Sequence, residues 1–283
     1  MKLARFERGN GPEIGIVTAS GMLPASGSLP QIGVDITGLI AAWDRYGALL
    51  RDFEIRGGAA VPMEALRLLS PIARPGKILA IGLNYADHIA ESGMPTPKQQ
   101  VWFCKHDNAV AAPGDPILLP RVSSMTDYEA ELVAVLGASV KHVSGADAAA
   151  AVFGYCVGND LSVRDWQWET PQWMLGKSFD GHAPFGPWIT TADEVGDPHR
   201  LGIRAIINGE TRQNSNTRHL VFSVWDQIAH LSKAMTLSPG DIIFTGTPGG
   251  VGAATKSWLK AGDTVRIEID ELGAIEGTCV NEA

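Results

Sequence analysis

Residues 126–137, Thr-Asp-Tyr-Glu-Ala-Glu-Leu-Val-Ala-Val-Leu-Gly, constrain this chain more than any other stretch. Every side chain from Leu132 to Leu136 is apolar, the pattern of a strand buried on both faces. Glu129 and Glu131 stand two apart at its mouth, so an extended backbone points both carboxylates to the same face. Two like charges brought side by side at the edge of a core repel each other and lose hydration. They need a proton, a basic partner or a metal. A hard divalent cation is the favoured neutraliser. The plain alternative is a solvated edge strand, since carboxylates are mostly exposed.

Two hundred and eighty-three residues with 45% hydrophobic content can bury a large core, which points to one large domain with a smaller addition. Residues 70–76, Ser-Pro-Ile-Ala-Arg-Pro-Gly, punctuate any regular element and make the best boundary. The expectation is a small N-terminal α+β domain over 1–70 and a larger domain over 71–283. A formal net charge of −8 argues against surfaces built for nucleic acid or anionic lipid, though a small anionic substrate can still bind locally. Cys104, Cys156 and Cys279 are far apart and form no Cys-x-x-Cys pair, which suits neither a disulfide framework nor a zinc site. A reducing, cytoplasmic setting is expected. The first residues carry charge where a signal peptide needs an apolar run, and no stretch approaches the roughly 18 apolar residues of a membrane span.

In chain order, short strands over residues 3–6 and 14–18 precede helical patterns over 36–43 and 45–53. An apolar strand over 77–83 leads into a short helical or lid-like piece, 84–93, bounded by Gly93 and the prolines beyond. His88 and Glu91 are three apart there and share a helix face. A carboxylate beside an imidazole fixes its tautomer and raises its basicity, as a general base requires; an ordinary exposed helix is the bland alternative. A helix over 146–152 and a strand over 153–157 deliver Asp160, the natural third carboxylate, because oxygen-only donors select magnesium, manganese or calcium over zinc. Arg164 and Gln167 follow at helical spacing and are expected to share a face with Asp160. Arg164 suits the clamping of a carboxylate and Gln167 a carbonyl oxygen; a local ion pair with Asp160 or Asp165 is the competing use of Arg164.

Trp166, Trp168 and Trp173 read first as packing and second as the wall of an apolar pocket. Residues 174–187 read as a glycine- and proline-broken loop in which Lys177 can present a point charge to an anion or a developing oxyanion. Asn208-Gly209 marks a tight hairpin turn, and residues 222–235 an amphipathic helix. The glycine-rich run 239–252 lacks the spacing of a phosphate-binding P-loop and is better suited to bringing backbone N–H groups and Thr247 close to a ligand. Strands over 263–270 and 276–280 close the chain.

Five signatures in order resemble the fumarylacetoacetate hydrolase superfamily over residues of about 77 to 280: Asn-Tyr-Ala-Asp-His88-x-x-Glu91, Glu129-x-Glu131, Asn-Asp160-x-x-x-Arg164-Asp-x-Gln167, Gly-Lys177-Ser-Phe-Asp, and Gly-Asp-Ile-Ile-x-Thr-Gly-Thr247-Pro. The chain looks like the short bacterial type, similar to acylpyruvate hydrolases and 2-hydroxyhepta-2,4-diene-1,7-dioate isomerases. The resemblance implies a mixed, mostly β fold with a β-roll or sandwich catalytic domain and a homodimer. It implies Mg²⁺ or Mn²⁺ held by Glu129, Glu131 and Asp160, with Ca²⁺ able to replace them in crystals. It further implies a water activated by His88 and Glu91, and a 2-oxo or 2,4-dioxo acid held by Arg164, Gln167, Lys177 and Thr247 and cleaved at a C–C bond. Decarboxylation of an oxaloacetate-like acid, or enol to keto isomerisation, is the alternative in the same site. A non-catalytic module that binds a small acid through the cation is the alternative from another class. The chain departs from the pattern in two places. Fumarylacetoacetase itself has a longer N-terminal domain and a further metal-ligating aspartate, and Leu83 stands where some acylpyruvate-cleaving members carry arginine.

Overall fold

The computed structural model describes residues 1–9, 11–93 and 95–283. The chain opens with strands β1 (Lys2–Glu7), β2 (Pro12–Thr18) and β3 (Gly21–Pro24), then helices α1 (Ile36–Ala41) and α2 (Trp43–Arg56). The Asp35 carboxylate caps α1 by accepting from the backbone N–H groups of Thr37 and Gly38, donors with no partner inside the helix. Next come β4 (Ile78–Gly82), α3 (Ala86–Ser92) and β5 (Val101–Lys105). The middle of the chain supplies β6 (Ala130–Leu136), β7 (Val152–Asn159), α4 (Arg164–Trp168), α5 (Met174–Lys177) and β8 (Ala183–Thr191). Strands β9 (Gly202–Ile207) and β10 (Glu210–Asn216), helix α6 (Val224–Ala234), and strands β11 (Ile242–Phe244), β12 (Thr264–Ile269) and β13 (Gly273–Asn281) complete it.

These elements make a mixed, mostly β fold. The main sheet runs β3-β2-β1-β8-β7-β6-β11-β4-β5, with Arg67–Leu69 also paired to β1 and Val110–Ala111 to β8. A second sheet runs β10-β9-β12-β13 and ends on Ile117–Leu119. Strand β6 lies in the middle of the main sheet and all seven of its residues are buried, as its unbroken apolar run requires. Its side chains alternate between two cores: Leu132, Ala134 and Leu136 pack into one, Val133 and Val135 into the other. By the same alternation Glu131 shares a face with Val133 and Val135.

The first 70 residues are hydrogen-bonded into this sheet, because β1 pairs antiparallel with β8 in the register Leu3↔Ile189. Leu3, Ile14 and Ile16 share one core with Val133, Phe185 and Phe244. The Asn208-Gly209 hairpin forms as its residues dictate, with φ of 52° and 80°, the left-handed pair that a tight hairpin turn needs. Helix α6 begins at Ser223, whose hydroxyl accepts from the Asp226 backbone N–H while the Asp226 carboxylate accepts from Ser223, a reciprocal cap.

Two expectations fail. Asp160 does not share a helix with Arg164 and Gln167, because α4 starts only at Arg164 and the short strand Ser162–Val163 intervenes, pairing with Thr126–Asp127. Nor is 174–187 simply a loop. It holds α5 and the start of β8, since Ala183 and Pro184 pair with Val110 and Ala111 at the margin of the sheet, where a missing N–H is tolerated.

Candidate active site

Strand β6 and the segment just before it bring Glu129 and Glu131 to the floor of a cavity of about 390 Å³, while the end of β7 delivers Asp160 beside them. Register fixes the approach. Glu131 lies opposite Gly158, the Asp160 backbone N–H donates to the Glu129 carbonyl at 2.9 Å, and the Glu129 N–H donates to Asn159 Oδ1 at 3.0 Å. One oxygen from each of Glu129, Glu131 and Asp160 lies within 4.8 Å of the others, and all three side chains are buried.

Two buried lysines answer part of this charge. Lys177 Nζ donates to Glu129 Oε2 at 2.7 Å and to Asp160 Oδ2 at 2.6 Å; Lys105 Nζ donates to Asp160 Oδ1 at 2.5 Å and to the Leu161 carbonyl. Burial alone would raise the Glu129 carboxyl, but Lys177 and Arg164 together hold it down at about 2. Among the described residues no cation lies within ion-pair distance of Glu131. Burial, then Asp160 and Glu129, push its carboxyl well above the usual carboxylate range, and Lys177 and the Gly246 N–H at 2.7 Å offset this only in part. Burial lowers both lysines, but for Lys177 the two carboxylates outweigh it and raise the ammonium, whereas for Lys105 burial prevails.

The donor set fits a hard divalent cation. It is oxygen-only, drawn from three side chains, tightly convergent, and short of positive charge at Glu131. Each carboxylate oxygen has more than one lone-pair direction, so an ion would share Glu129 and Asp160 with the ammonium groups rather than replace them.

Arg164 lines the same cavity but is held from the protein side. Its Nε donates to Asp127 Oδ2 at 2.8 Å, Nη2 lies 2.7 Å from both Asp127 and Glu129, and Nη1 donates to Gln167 Oε1 at 2.8 Å. The ion pair that competes for Arg164 is therefore with Asp127 and Glu129, rather than with Asp160 or Asp165. Asp127 in turn accepts from the backbone N–H groups of Tyr128, Gly252 and Ala253, so it ties the carboxylate strand to the glycine-rich loop. A side chain at Gly252 would put its Cβ 2.6 Å from Asp127 Oδ1, which is why that close approach needs glycine.

Helix α3 covers the cavity with His88 and Glu91, whose Nδ1 and Oε2 are 3.5 Å apart, longer than a formed hydrogen bond. Both oxygens of Glu91 accept from the Gly250 N–H at 3.0 Å, and Asp87 accepts from Ser215 and from the Gly249 N–H. Thr247, Leu83, Phe103, Trp168 and Trp173 also line the cavity. Of the three tryptophans, Trp168 and Trp173 wall the cavity; Trp166 instead stacks edge-on against Phe179. The structure thus gathers His88, Glu91, Glu129, Glu131, Arg164, Gln167, Lys177 and Thr247 around one cavity, with Asp160 bonded to Lys177 behind it.

The family described as fumarylacetoacetate (FAA) hydrolase C-terminal matches residues 77–280. The chain belongs to the fumarylacetoacetate hydrolase family. Among relatives, it is 48% identical over 219 residues to oxaloacetate tautomerase fahd2, mitochondrial, of Xenopus laevis, covering 76% of this chain and 69% of that one. Among solved structures, maleylpyruvate hydrolase from Sphingobium sp. SYK-6 in complex with manganese (II) ion and pyruvate is similar with a TM-score of 0.84 and 32% identity over 100% of both chains. The 5-carboxymethyl-2-hydroxymuconate delta-isomerase from Mycobacterium smegmatis has a TM-score of 0.80 and 33% identity, again over 100% of both.

For this fumarylacetoacetate hydrolase family member, sequence reading missed Lys105, Asp127 and Gln213. Asp127 did carry a signal, since Asp127, Glu129 and Glu131 alternate along one extended stretch. Lys105 closes the otherwise apolar run Val-Trp-Phe-Cys, a weaker hint that its ammonium is buried. Gln213 sits in a polar hairpin strand and carries no sequence signal.

Proposed function

We propose that the protein is a divalent-metal-dependent hydrolase that cleaves a C–C bond in an acylpyruvate-like or 1,3-diketone (2,4-dioxo acid) substrate. The observation that carries this reading is the convergence of the Glu129, Glu131 and Asp160 oxygens within 4.8 Å of one another, at a cavity that also holds His88 and Glu91. Mg²⁺ or Mn²⁺ held by those three residues would polarise the carbonyl of a chelating 2-oxo acid and stabilise the departing enolate.

His88, whose Nδ1 lies 3.5 Å from Glu91 Oε2 and would be oriented by it once that contact tightens around a ligand, takes a proton from a water that adds to the neighbouring carbonyl. The C–C bond then breaks toward the 2-oxo acid, whose enolate carbon regains a proton. Lys177 uses two ammonium hydrogens on Glu129 and Asp160 and keeps a third for the substrate oxygen on which charge develops. Arg164, Gln167 and Thr247 hold the acid end. Loss of acylpyruvate enol absorbance on addition of Mn²⁺ tests the reading; no turnover of any 2,4-dioxo acid in a panel would contradict it.

A second reading is tautomerisation or decarboxylation of an oxaloacetate-like acid in the same cavity, favoured by the 48% identity to the oxaloacetate tautomerase. Both readings need the carboxylate triad, but only hydrolysis needs a water activated by His88. We further read the protein as a cytoplasmic homodimer. The free cysteines support a reducing compartment, and the exposed apolar Leu118, Val280 and Leu175 support a partner surface.

A further inference from the structure

Gln213 joins the carboxylate strand to the glycine-rich loop. It is fully buried although its neighbours on β10 are largely exposed. Its Oε1 accepts from the Ala130 backbone N–H at 2.9 Å, between Glu129 and Glu131, while its Nε2 lies 2.7 Å from the Pro248 carbonyl and 2.9 Å from Thr247 Oγ1. A backbone N–H only donates and a backbone carbonyl only accepts, so the two together fix which end of the amide is oxygen. One Nε2 hydrogen goes to Pro248 and the other to Thr247 Oγ1. The Thr247 hydroxyl is therefore an acceptor on its protein side, and its own hydrogen points elsewhere. Thr247 lines the cavity with Glu129, Glu131 and Lys177, and among the described residues no protein group accepts from it.

We propose that Gln213 is a positioning residue that sets the polarity of Thr247, holding the hydroxyl as a donor to an anionic oxygen of the bound acid. The inference rests on reading the cavity as a 2-oxo acid site. Its physical content is that glutamine cannot be replaced by its isostere. In Gln213→Glu the carboxylate still accepts from Ala130, but it also accepts from Thr247, which turns the hydroxyl hydrogen away from the ligand and sets an anionic oxygen against the Pro248 carbonyl.

Oxalate, a chelating dianion shaped like the acid end of a 2-oxo acid, is the probe, titrated calorimetrically at saturating Mn²⁺. Gln213→Glu and Thr247→Val are each expected to weaken oxalate by about tenfold or more, as loss of a hydrogen bond to a charged group would. The double variant should be no weaker than Thr247→Val alone, and Thr247→Ser should bind as wild type does. Gln213→Met, which leaves the hydroxyl free to rotate, is the second variant should Gln213→Glu fail to fold, and it too should weaken oxalate. Affinity for Mn²⁺ alone should stay within about threefold of wild type in each variant. Wild-type affinity in the folded Gln213 variant, or additive losses in the double variant, would overturn the inference while leaving the cavity reading intact. A wild-type protein that binds Mn²⁺ but no oxalate would sink the cavity reading and this inference with it.

Discussion

Lys177 Nζ lies 2.6 Å from Asp160 Oδ2, and both side chains are sealed from solvent. Such a pair adds little net stability over an apolar one, because desolvating two charges offsets their attraction, yet removing one partner strands the other. Lys177→Met is expected to cost about 3–5 kcal/mol in urea denaturation and to abolish turnover. A stable, active Lys177→Met protein would show that the ammonium is dispensable.

Asp127 accepts three backbone N–H groups and pairs with Arg164, so Asp127→Asn should weaken the join between the carboxylate strand and the glycine-rich loop. An amide leaves Arg164 buried beside Glu129 alone and sets an NH₂ group against at least one backbone donor. A loss of about 2–4 kcal/mol is expected, with faster amide exchange at Gly252 and Ala253. Unchanged exchange at those two amides would argue that the loop is held by other contacts.

His88→Ala separates the two chemical readings. Hydrolysis of an acylpyruvate should fall by about 100-fold or more, the scale of general-base catalysis, whereas oxaloacetate tautomerisation should persist in part. Steady-state rates on both substrates, at equal Mn²⁺, give the comparison. Equal losses on the two would remove the water-activating role.

His182 predicts a stability slope. Burial holds its imidazole down at about 4, with Lys105 adding to this, while the Leu118 carbonyl at 2.8 Å, Asp160 and Asp180 oppose it. The unfolded chain binds a proton near pH 6.5 and the folded one resists until about 4, so stability falls as pH drops through that window. The full effect is roughly 3 kcal/mol, complete below the folded value. Denaturation at stepped pH should show a shallower decline in His182→Gln, and identical slopes would contradict the assignment.

Much of this fold was legible because its central strand is an unbroken apolar run with paired carboxylates at its mouth, and a seven-residue strand buried on both faces has few alternatives. The hairpin at Asn208-Gly209 and the cap at Ser223 were equally local. The partners of the site were harder to read, for a physical reason. Lys105 reaches Asp160 from a strand 55 residues away and Gln213 reaches Ala130 across 83, and no short-range periodicity encodes such contacts. Arg164 shows the same limit, since helical spacing aimed it at Asp160 whereas sheet pairing brought Asp127 to it. The pairing of strand β1 with β8, more than 180 residues later, was out of reach for the same reason.

The central claim is that Glu129, Glu131 and Asp160 hold one divalent cation. Mn²⁺ titration of chelator-treated protein, followed by electron paramagnetic resonance of the free ion, tests it most directly. One tight site per chain is expected in the wild type, weakened by about 100-fold or more in Glu131→Ala, because among the described residues the Glu131 carboxylate is the one of the three with no cation at ion-pair distance. Absence of a stoichiometric site, or a site of equal affinity in Glu131→Ala, would contradict the account.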